Sequence, residues 1–449
     1  MRRRGRGETT ERTQWGLVRQ AAPLLVALAL IASACGSGGD EGGVPTLKWY
    51  SYEEPGGSFV SAAERCGKES DGRYRIELVT LPNNADEQRE QLVRRLAAED
   101  SDIDLISMDV IWTAEFAEAG WILPFPDEEA QQVTDGRLEP AVQSATYEDR
   151  LYAAPFTSNT QLLWYRKSLT PDPPTTWEAA LAETKRLEEA GKPHEFQVQG
   201  QRYEGLVVWF TSLLESAGTS VLDESGTKVE LERKATEKAL TVMRDLSRSS
   251  AAPPALSTAR EDDGRLAWES GTSAFMVNYT FVWPSANTNA PDIAADMGWA
   301  RYPGIEGGGP SKVTIGGFNL GVGAFGESEL AFDAAACITS EETQLEAAIK
   351  GGLLPTSEAL YDEPELTEAT QDVTDATSGK TKKVKSFPYA DVLKETLADA
   401  VQRPQTPFYN DVALAIARTL HPTVDIDPKA DVDNLRDAIE RALKGEGLL

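Results

Sequence analysis

Carboxylates and aromatic rings are the residues of this chain with the clearest chemical potential. Glu53, Glu54, Asp104 and Asp109 lie in or just after β-like runs. Two carboxyl groups flanking a glycosidic bond are the machinery of sugar hydrolysis, but that chemistry needs a fixed separation and one carboxyl with a raised pKa. The spacing supplies neither. Trp209, Tyr279, Phe281 and Trp283 sit at the ends of helix-like or strand-like segments beside polar neighbours. A ring flanked by carboxylates and amides suits a sugar, whose C–H groups stack on the ring while its hydroxyls pair with Asp, Glu, Asn and Arg. Any one Trp is more often core; the cluster as a whole points to a binding site. The chain has no GxSxG, HExxH or P-loop signature, so binding without catalysis is the first reading.

Other motifs carry less. Gly321-Val322-Gly323-Ala324-Phe325-Gly326 matches GxGxxG by letter. Its first two glycines fall inside a strand pattern, where a dinucleotide loop needs them in the turn after it. Asp431-Val432-Asp433-Asn434 hints at a calcium loop but has Arg436 where the sharp turn needs Gly. Asn278-Tyr279-Thr280 is a glycosylation sequon by letter and reads as a structural turn. His194 and His421 are isolated. No cofactor and no metal site is expected.

The elements that position these residues follow a pattern. Thr46–Tyr50, Tyr74–Val79 and Ile103–Met108 read as strands, alternating with helices at Phe59–Lys68, Asn84–Glu99 and Thr113–Ala119. This is a parallel βαβαβα unit. Ligands meet such sheets at the C-terminal strand ends, here Ser51–Glu54, Leu81-Pro82-Asn83-Asn84 and Asp109. Tyr147–Arg166 opens with a charged turn, runs extended through Pro155, breaks at Thr157–Thr160 and resumes as a strand at Gln161–Tyr165. It reads as a crossing between two bodies. Helices are expected at Trp177–Ala190 (Thr176 as N-cap), Leu206–Ser216, Lys234–Leu246, Arg265–Ser270, Val392–Ala400, Asn410–Thr419 and Val432–Lys444. Strands are expected at Ser273–Val277 and Met297–Arg301, and a Gly-rich strand at Ile315–Gly323. Glu363–Lys385 is polar and reads as a long surface connection.

The N-terminus carries six arginines, then the apolar run Ala21–Ala32 and Ala32-Ser33-Ala34-Cys35 before a Gly-Ser tether. The run is too short to span a bilayer. Small residues before a Cys resemble a bacterial lipobox, with Cys35 acylated; plain cleavage after Ala34 is the alternative. Residues 1–34 are then a signal peptide and 35–44 a tether. The chain has 72 acidic against 44 basic side chains, a net charge of −28, which repels nucleic acid and anionic headgroups. Cys66 and Cys337 remain, and an exported compartment permits a bridge between them or two free thiols.

With these elements in place the chain resembles the carbohydrate-binding lipoproteins of ABC importers, the maltose-binding-protein-like cluster. The marks are the lipobox, Leu151–Pro155 before Leu163–Arg166, Pro173–Trp177, Phe275–Asn278, Gly316–Leu320 and Arg403-Pro404. Within that cluster the Arg-rich leader, the acidic body and the Arg403–Tyr409 turn are most similar to trehalose-binding lipoproteins of actinobacteria. The resemblance implies an α/β, two-lobed periplasmic-binding-protein fold with a cleft between lobes and three crossings, at 147–166, at 316–320 and near 376–390. Residues 45–155 and 318–375 form one lobe; 156–317 and 376–449 form the other. It further implies that Asp109 accepts sugar hydroxyls, that Asn159 follows the first crossing, and that Trp209, Tyr279, Phe281 and Trp283 supply rings. Gly317 with Phe318 lets backbone approach the ligand, and Arg403 is a late polar contact. Glu53, Glu54 and Asn83 lie in the first two binding loops; which of Glu53 and Glu54 points inward stays open. The implied function is capture of a disaccharide, trehalose foremost, by a monomer. Lipid-anchored on the outer face of the cell membrane, it would deliver the sugar to ABC permease and ATPase subunits, with no nucleic-acid partner. A secreted glycosidase and a binder of polyamines, peptides or metals are the alternatives.

Overall fold

Three runs of β-branched and aliphatic residues, each followed by a helix, start the folded chain. The computed structural model describes residues 43–446 except 55, 83–84, 306–309 and 375–378. Cys35, the leader and Asn83 lie outside the described residues. The folded unit runs from Val44 onward.

The elements are β1 (Thr46–Tyr52), α1 (Ser58–Glu69), β2 (Arg75–Leu81), α2 (Ala85–Leu96), β3 (Leu105–Asp109), α3 (Thr113–Glu118), α4 (Asp127–Thr134), α5 (Glu139–Ser144), β4 (Thr146–Tyr147), β5 (Arg150–Leu151), β6 (Ala153–Asn159) and β7 (Leu162–Arg166). Next come α6 (Trp177–Glu189), β8 (Glu195–Gln197), α7 (Glu204–Ser216), α8 (Arg233–Arg248), α9 (Glu261–Ser270), β9 (Ser273–Asn278), α10 (Val282–Asn289), α11 (Pro291–Asp296), β10 (Met297–Ala300) and β11 (Gly316–Val322). The chain continues with α12 (Ser328–Ile338), α13 (Glu341–Gly351), β12 (Leu354–Pro355), α14 (Pro364–Thr367), β13 (Thr370–Thr374), β14 (Thr381–Lys385), α15 (Ala390–Ala398), α16 (Tyr409–Leu420) and α17 (Ala430–Leu443).

Two larger sheets result. A six-stranded sheet has the order β12-β6-β11-β3-β1-β2, and a four-stranded sheet the order β10-β7-β9-β8. In the first, β1 pairs in parallel with both β2 and β3, as the βαβ pattern predicts. β11 inserts antiparallel between β3 and β6. Pro155 lies within β6, where its missing N–H would break a regular ladder. The register slips there, Phe318 facing Thr157 and Asn319 facing Pro155, so the proline is taken up by a bulge. The literal GxGxxG serves packing: a Cβ on Gly323 would lie 2.1 Å from the Ile103 carbonyl oxygen, and one on Gly326 would lie 2.4 Å from Asp104 Oδ1. Asp104 itself accepts the Lys48 and Glu327 amides at 2.7 and 2.8 Å.

The expected crossing is present. β6 belongs to the six-stranded sheet and β7 to the four-stranded one, so only Thr160 and Gln161, both buried, join them. Gln161 donates to Gln199 Oε1 at 2.8 Å, and Gln199 donates to the Val277 carbonyl at 3.1 Å. Trp164 and Tyr165 point to opposite faces of β7, as the period of two requires. Trp164 joins the core with Trp268, Met276 and Tyr389; Tyr165 joins the core with Trp177, Phe196 and Trp209.

The surface connection at 363–385 is mostly exposed and carries elements that were not expected, the short helix α14 and the hairpin β13–β14. Val373 is buried on one face of β13 while lysines cover β14, so a single apolar side chain was too weak a periodic signal. Leu354, Tyr361 and Leu366 share a core with Trp164 and Met276, although β12 pairs with β6.

A disulfide joins Cys66 of α1 to Cys337 of α12 across 271 residues of sequence. Closing so long a loop restricts the unfolded chain, and its removal costs about 3–5 kcal/mol. Thermal unfolding of Cys66→Ser/Cys337→Ser should show a clearly lower midpoint than the oxidised protein; equal midpoints would contradict a stabilising bridge.

Candidate functional site

Four segments converge between the two sheets. The first is the end of β3, where Asp109 accepts the Ile111 amide at 3.2 Å and so closes the strand into a short helical turn. The second is the junction of β6 and β11. Gly316 faces Asn159 and Gly317 faces Ser158. Gly317 has φ +121°, and a Cβ there would sit 2.1 Å from the Thr157 carbonyl oxygen; a Cβ on Gly316 would meet Asn159 Oδ1 at 2.2 Å. The missing side chain of Gly316 is thus what leaves room for the Asn159 amide.

The third segment pairs the N-termini of α7 and α9 with the end of β9. Tyr203 precedes α7 in an extended conformation and Glu204 is its first residue. Glu261, Asp262 and Asp263 form the first turn of α9, where carboxylates offset the helix dipole. Asn278 ties this region together: its Oδ1 accepts the Tyr279 amide at 2.8 Å and its Nδ2 donates to the Glu261 carbonyl at 2.9 Å. The fourth segment is the turn after Val401, which bonds to Val313 and Ile315 and delivers Arg403.

Together they line a cavity of about 560 Å³ that includes Asp109, Asn159, Tyr203, Glu204, Arg260, Glu261, Asp262, Tyr279, Phe281, Gly316, Gly317 and Arg403. Arg403, 5% exposed, spans it. Its Nη2 donates to Asp109 Oδ1 at 3.0 Å and its Nη1 to Glu204 Oε1 at 2.9 Å. Asp109 ends a strand of the six-stranded sheet, whereas α7 packs on β7 and β9 of the four-stranded sheet. One guanidinium thus bridges the two halves. Tyr409 also donates its hydroxyl to Glu204 Oε1.

The electrostatics follow from this enclosure. Burial works against the Arg403 charge, but Asp109, Tyr409 and Glu204 more than offset it and hold the guanidinium protonated. Burial pushes the Glu204 carboxyl upward; Arg403 and the Tyr409 hydroxyl pull it back and Asp109 adds to the push, leaving it raised. The Glu261 carboxyl is raised by burial as well, and burial, then Glu261, keeps the Tyr279 phenol neutral. Arg403 Nε and Asn159 Oδ1 are buried and have no partner among the described residues. The cavity therefore offers rings, carboxylates, an amide and a charged donor to a polar, uncharged ligand.

Residues 61–377 match the family of bacterial extracellular solute-binding proteins. The chain belongs to this family. A probable ABC transporter-binding protein of Deinococcus radiodurans is 25% identical over 364 residues, 77% of this chain and 81% of that protein. Maltose-bound MalE3 of T. maritima matches with a TM-score of 0.74 at 28% identity, covering 88% of this chain and 98% of that one. The GacH receptor of Streptomyces glaucescens matches with a TM-score of 0.72 at 23% identity over 89% and 98%, a likeness of fold. The two sheets with their helices are thus the two-lobed α/β fold of MalE-type solute-binding proteins.

Set in that solute-binding fold, the residues singled out from sequence divide into two groups. Asp109, Asn159, Tyr279, Phe281, Gly317 and Arg403 line the cavity. The others among the described residues are placed elsewhere. Trp209 is 1% exposed and packs on Trp177 at 6.0 Å between ring centroids, inside the core. Trp283 donates its indole N–H to the Lys385 carbonyl at 2.9 Å and packs edge-on against Trp299. Phe318 packs on Tyr52 at 4.7 Å between ring centroids. Glu54 turns its carboxylate onto the Ser58 amide and hydroxyl, both at 2.7 Å, and so caps α1. Glu53 is exposed and is not among the described residues lining the cavity.

Tyr203, Glu204, Arg260, Glu261 and Asp262 were not evident from sequence. Both helices start earlier than their apolar periodicity indicates, α7 at Glu204 instead of Leu206 and α9 at Glu261 instead of Arg265. The acidic first turn Glu261-Asp262-Asp263 was the available signal.

Proposed function

We propose that this solute-binding protein captures a disaccharide between its lobes and delivers it to the permease and ATPase subunits of an ABC importer. The observation that carries the reading is the cavity itself, with the rings of Tyr203, Tyr279 and Phe281 beside the Asp109–Arg403–Glu204 bridge. Rings take the C–H faces of a sugar, and the bridge offers both acceptors and donors to its hydroxyls. Its volume lies in the range of about 300–1,000 Å³ usual for small-molecule sites. The match to maltose-bound MalE3 supports the same ligand class. Trehalose is our first candidate, on the resemblance of the Arg403–Tyr409 turn and the Arg-rich leader to trehalose-binding lipoproteins. We place the lobes near 45–155 with 318–375 and 156–317 with 376–449, the boundaries moved to Thr160–Gln161 and to before Gly316 so that β6 and β11 stay whole. Acylation of Cys35 would hold the protein at the outer face of the cell membrane. Ligand touching both lobes favours the closed arrangement.

Calorimetry against trehalose, maltose and sucrose tests this reading: one sugar should bind without being cleaved, and product release would instead support a glycosidase. Absence of heat from every sugar at millimolar concentration would sink it. Phe281, 37% exposed, distinguishes a ligand ring from a core ring. Phe281→Ala should weaken sugar binding about ten-fold, in line with about 1–1.5 kcal/mol for a ring contact, and leave the ligand-free unfolding midpoint nearly unchanged. A large loss of midpoint with unaltered affinity would assign the ring to packing.

A further inference from the structure

Tyr409 opens α16 and is 3% exposed. It does not line the cavity among the described residues, yet its hydroxyl reaches the same Glu204 oxygen that Arg403 Nη1 contacts at 2.9 Å. Resting on the proposed capture of a sugar, we infer that Tyr409 is a positioning residue whose hydroxyl, acting through Glu204, sets the Arg403 guanidinium across the two lobes in the orientation a sugar meets.

The surroundings of Arg403 give the reason. Its turn is tied to the first lobe's side by backbone-directed side chains, Gln402 to the Pro140 carbonyl and Gln405 to the Gln143 carbonyl, the latter at 2.7 Å. The guanidinium Nε has no partner among the described residues, so its plane is fixed by two contacts, Asp109 on one side and Glu204 on the other. Asp109 is held by the Ile111 amide. Glu204 stands half-buried at the start of α7, where the side chain has several rotamers open to it. The Tyr409 hydroxyl selects the one that faces Arg403, and the phenol ring is itself locked in the core with Val412 and Ile416. A buried hydroxyl without a partner is costly, so the contact is stabilising from both ends.

Charge acts in the same direction. The groups facing Glu204 are Arg403 from the turn, Tyr409 from α16, Asp109 from β3 and the Tyr279 phenol just after β9. The Tyr409 hydroxyl favours the ionised carboxylate. Without it Glu204 takes up a proton at higher pH, and Arg403 loses one of its two anchors.

The test is trehalose, maltose and sucrose titrations of wild type, Tyr409→Phe, Glu204→Ala and the double variant between about pH 4 and 8, where carboxyl groups of raised pKa titrate. Tyr409→Phe keeps the ring and the fold. It should bind about five- to ten-fold more weakly near neutrality, and its affinity should fall on acidification from a higher pH than in wild type. The double variant should be no weaker than Glu204→Ala alone, because the hydroxyl acts only through the side chain that Ala removes. Wild-type affinity and pH profile in Tyr409→Phe would overturn the inference, as would a further loss in the double variant. If wild type binds none of trehalose, maltose and sucrose, the proposed function falls. The positioning role is then read in the ligand-free protein by carbon NMR of the Glu204 carboxyl, whose titration must move up in Tyr409→Phe; an unmoved titration rejects it.

Discussion

Arg403→Ala should abolish sugar binding, with an affinity loss of at least about a hundred-fold, and should lower the stability of the ligand-free protein as well. The guanidinium is 5% exposed and bridges Asp109 and Glu204. Its removal leaves two partly enclosed carboxylates facing each other without a counter-charge, and losing one partner of a buried ion pair costs about 3–5 kcal/mol. Calorimetry gives the first effect and urea unfolding the second. Arg403→Lys separates charge from geometry: an ammonium is a point charge that cannot hold the same forked bridge, so it should recover part of the stability and little of the affinity. Normal sugar binding by Arg403→Ala would show that the ligand lies elsewhere.

Gly317→Ala should be the most disruptive single-methyl change at the lobe junction. The residue adopts φ +121°, and the added Cβ would lie 2.1 Å from the Thr157 carbonyl oxygen and 2.6 Å from Ser158 Cα. Both neighbours are backbone of β6, so the β6–β11 register must shift. The combined strain and clash should cost about 3 kcal/mol or more. Because Gly316 and Asn159 sit one position away, affinity should fall together with stability. An unchanged urea midpoint would refute the claim that this position admits only glycine.

The parallel βαβ unit was legible because its strands carry apolar runs and its helices are amphipathic; a crossing was legible because Pro155 forbids helix and a polar break separates two apolar runs, but β6 runs through that break, so Asn159 precedes the crossing instead of following it. Asp109 stood out as a charged strand end, whereas Arg403 was singled out only by the family resemblance of its turn. The aromatics divided less cleanly. Trp209 looked like Phe281 in one dimension, since both are rings beside polar residues. The fold alone turns Trp209 into the core against Trp177 and leaves Phe281 at the cavity rim. Glu54 looked like a ligand carboxylate, but the amide of Ser58 at the start of α1 claims it.

The sequence by itself determined the parallel α/β character, the break between two bodies and the acidic balance, because periodicity, chain breaks and charge are local properties that short windows carry; the two-lobed plan came from the family resemblance. Tertiary structure decided which residues form the site. Asp109, Glu204 and Arg403 are far apart along the chain yet meet within hydrogen-bond distance. They meet because the two sheets are joined by short crossings and the turn bearing Arg403 is bound to the segment that enters β11. Such a meeting depends on where whole elements pack, and no local pattern of residue types encodes it.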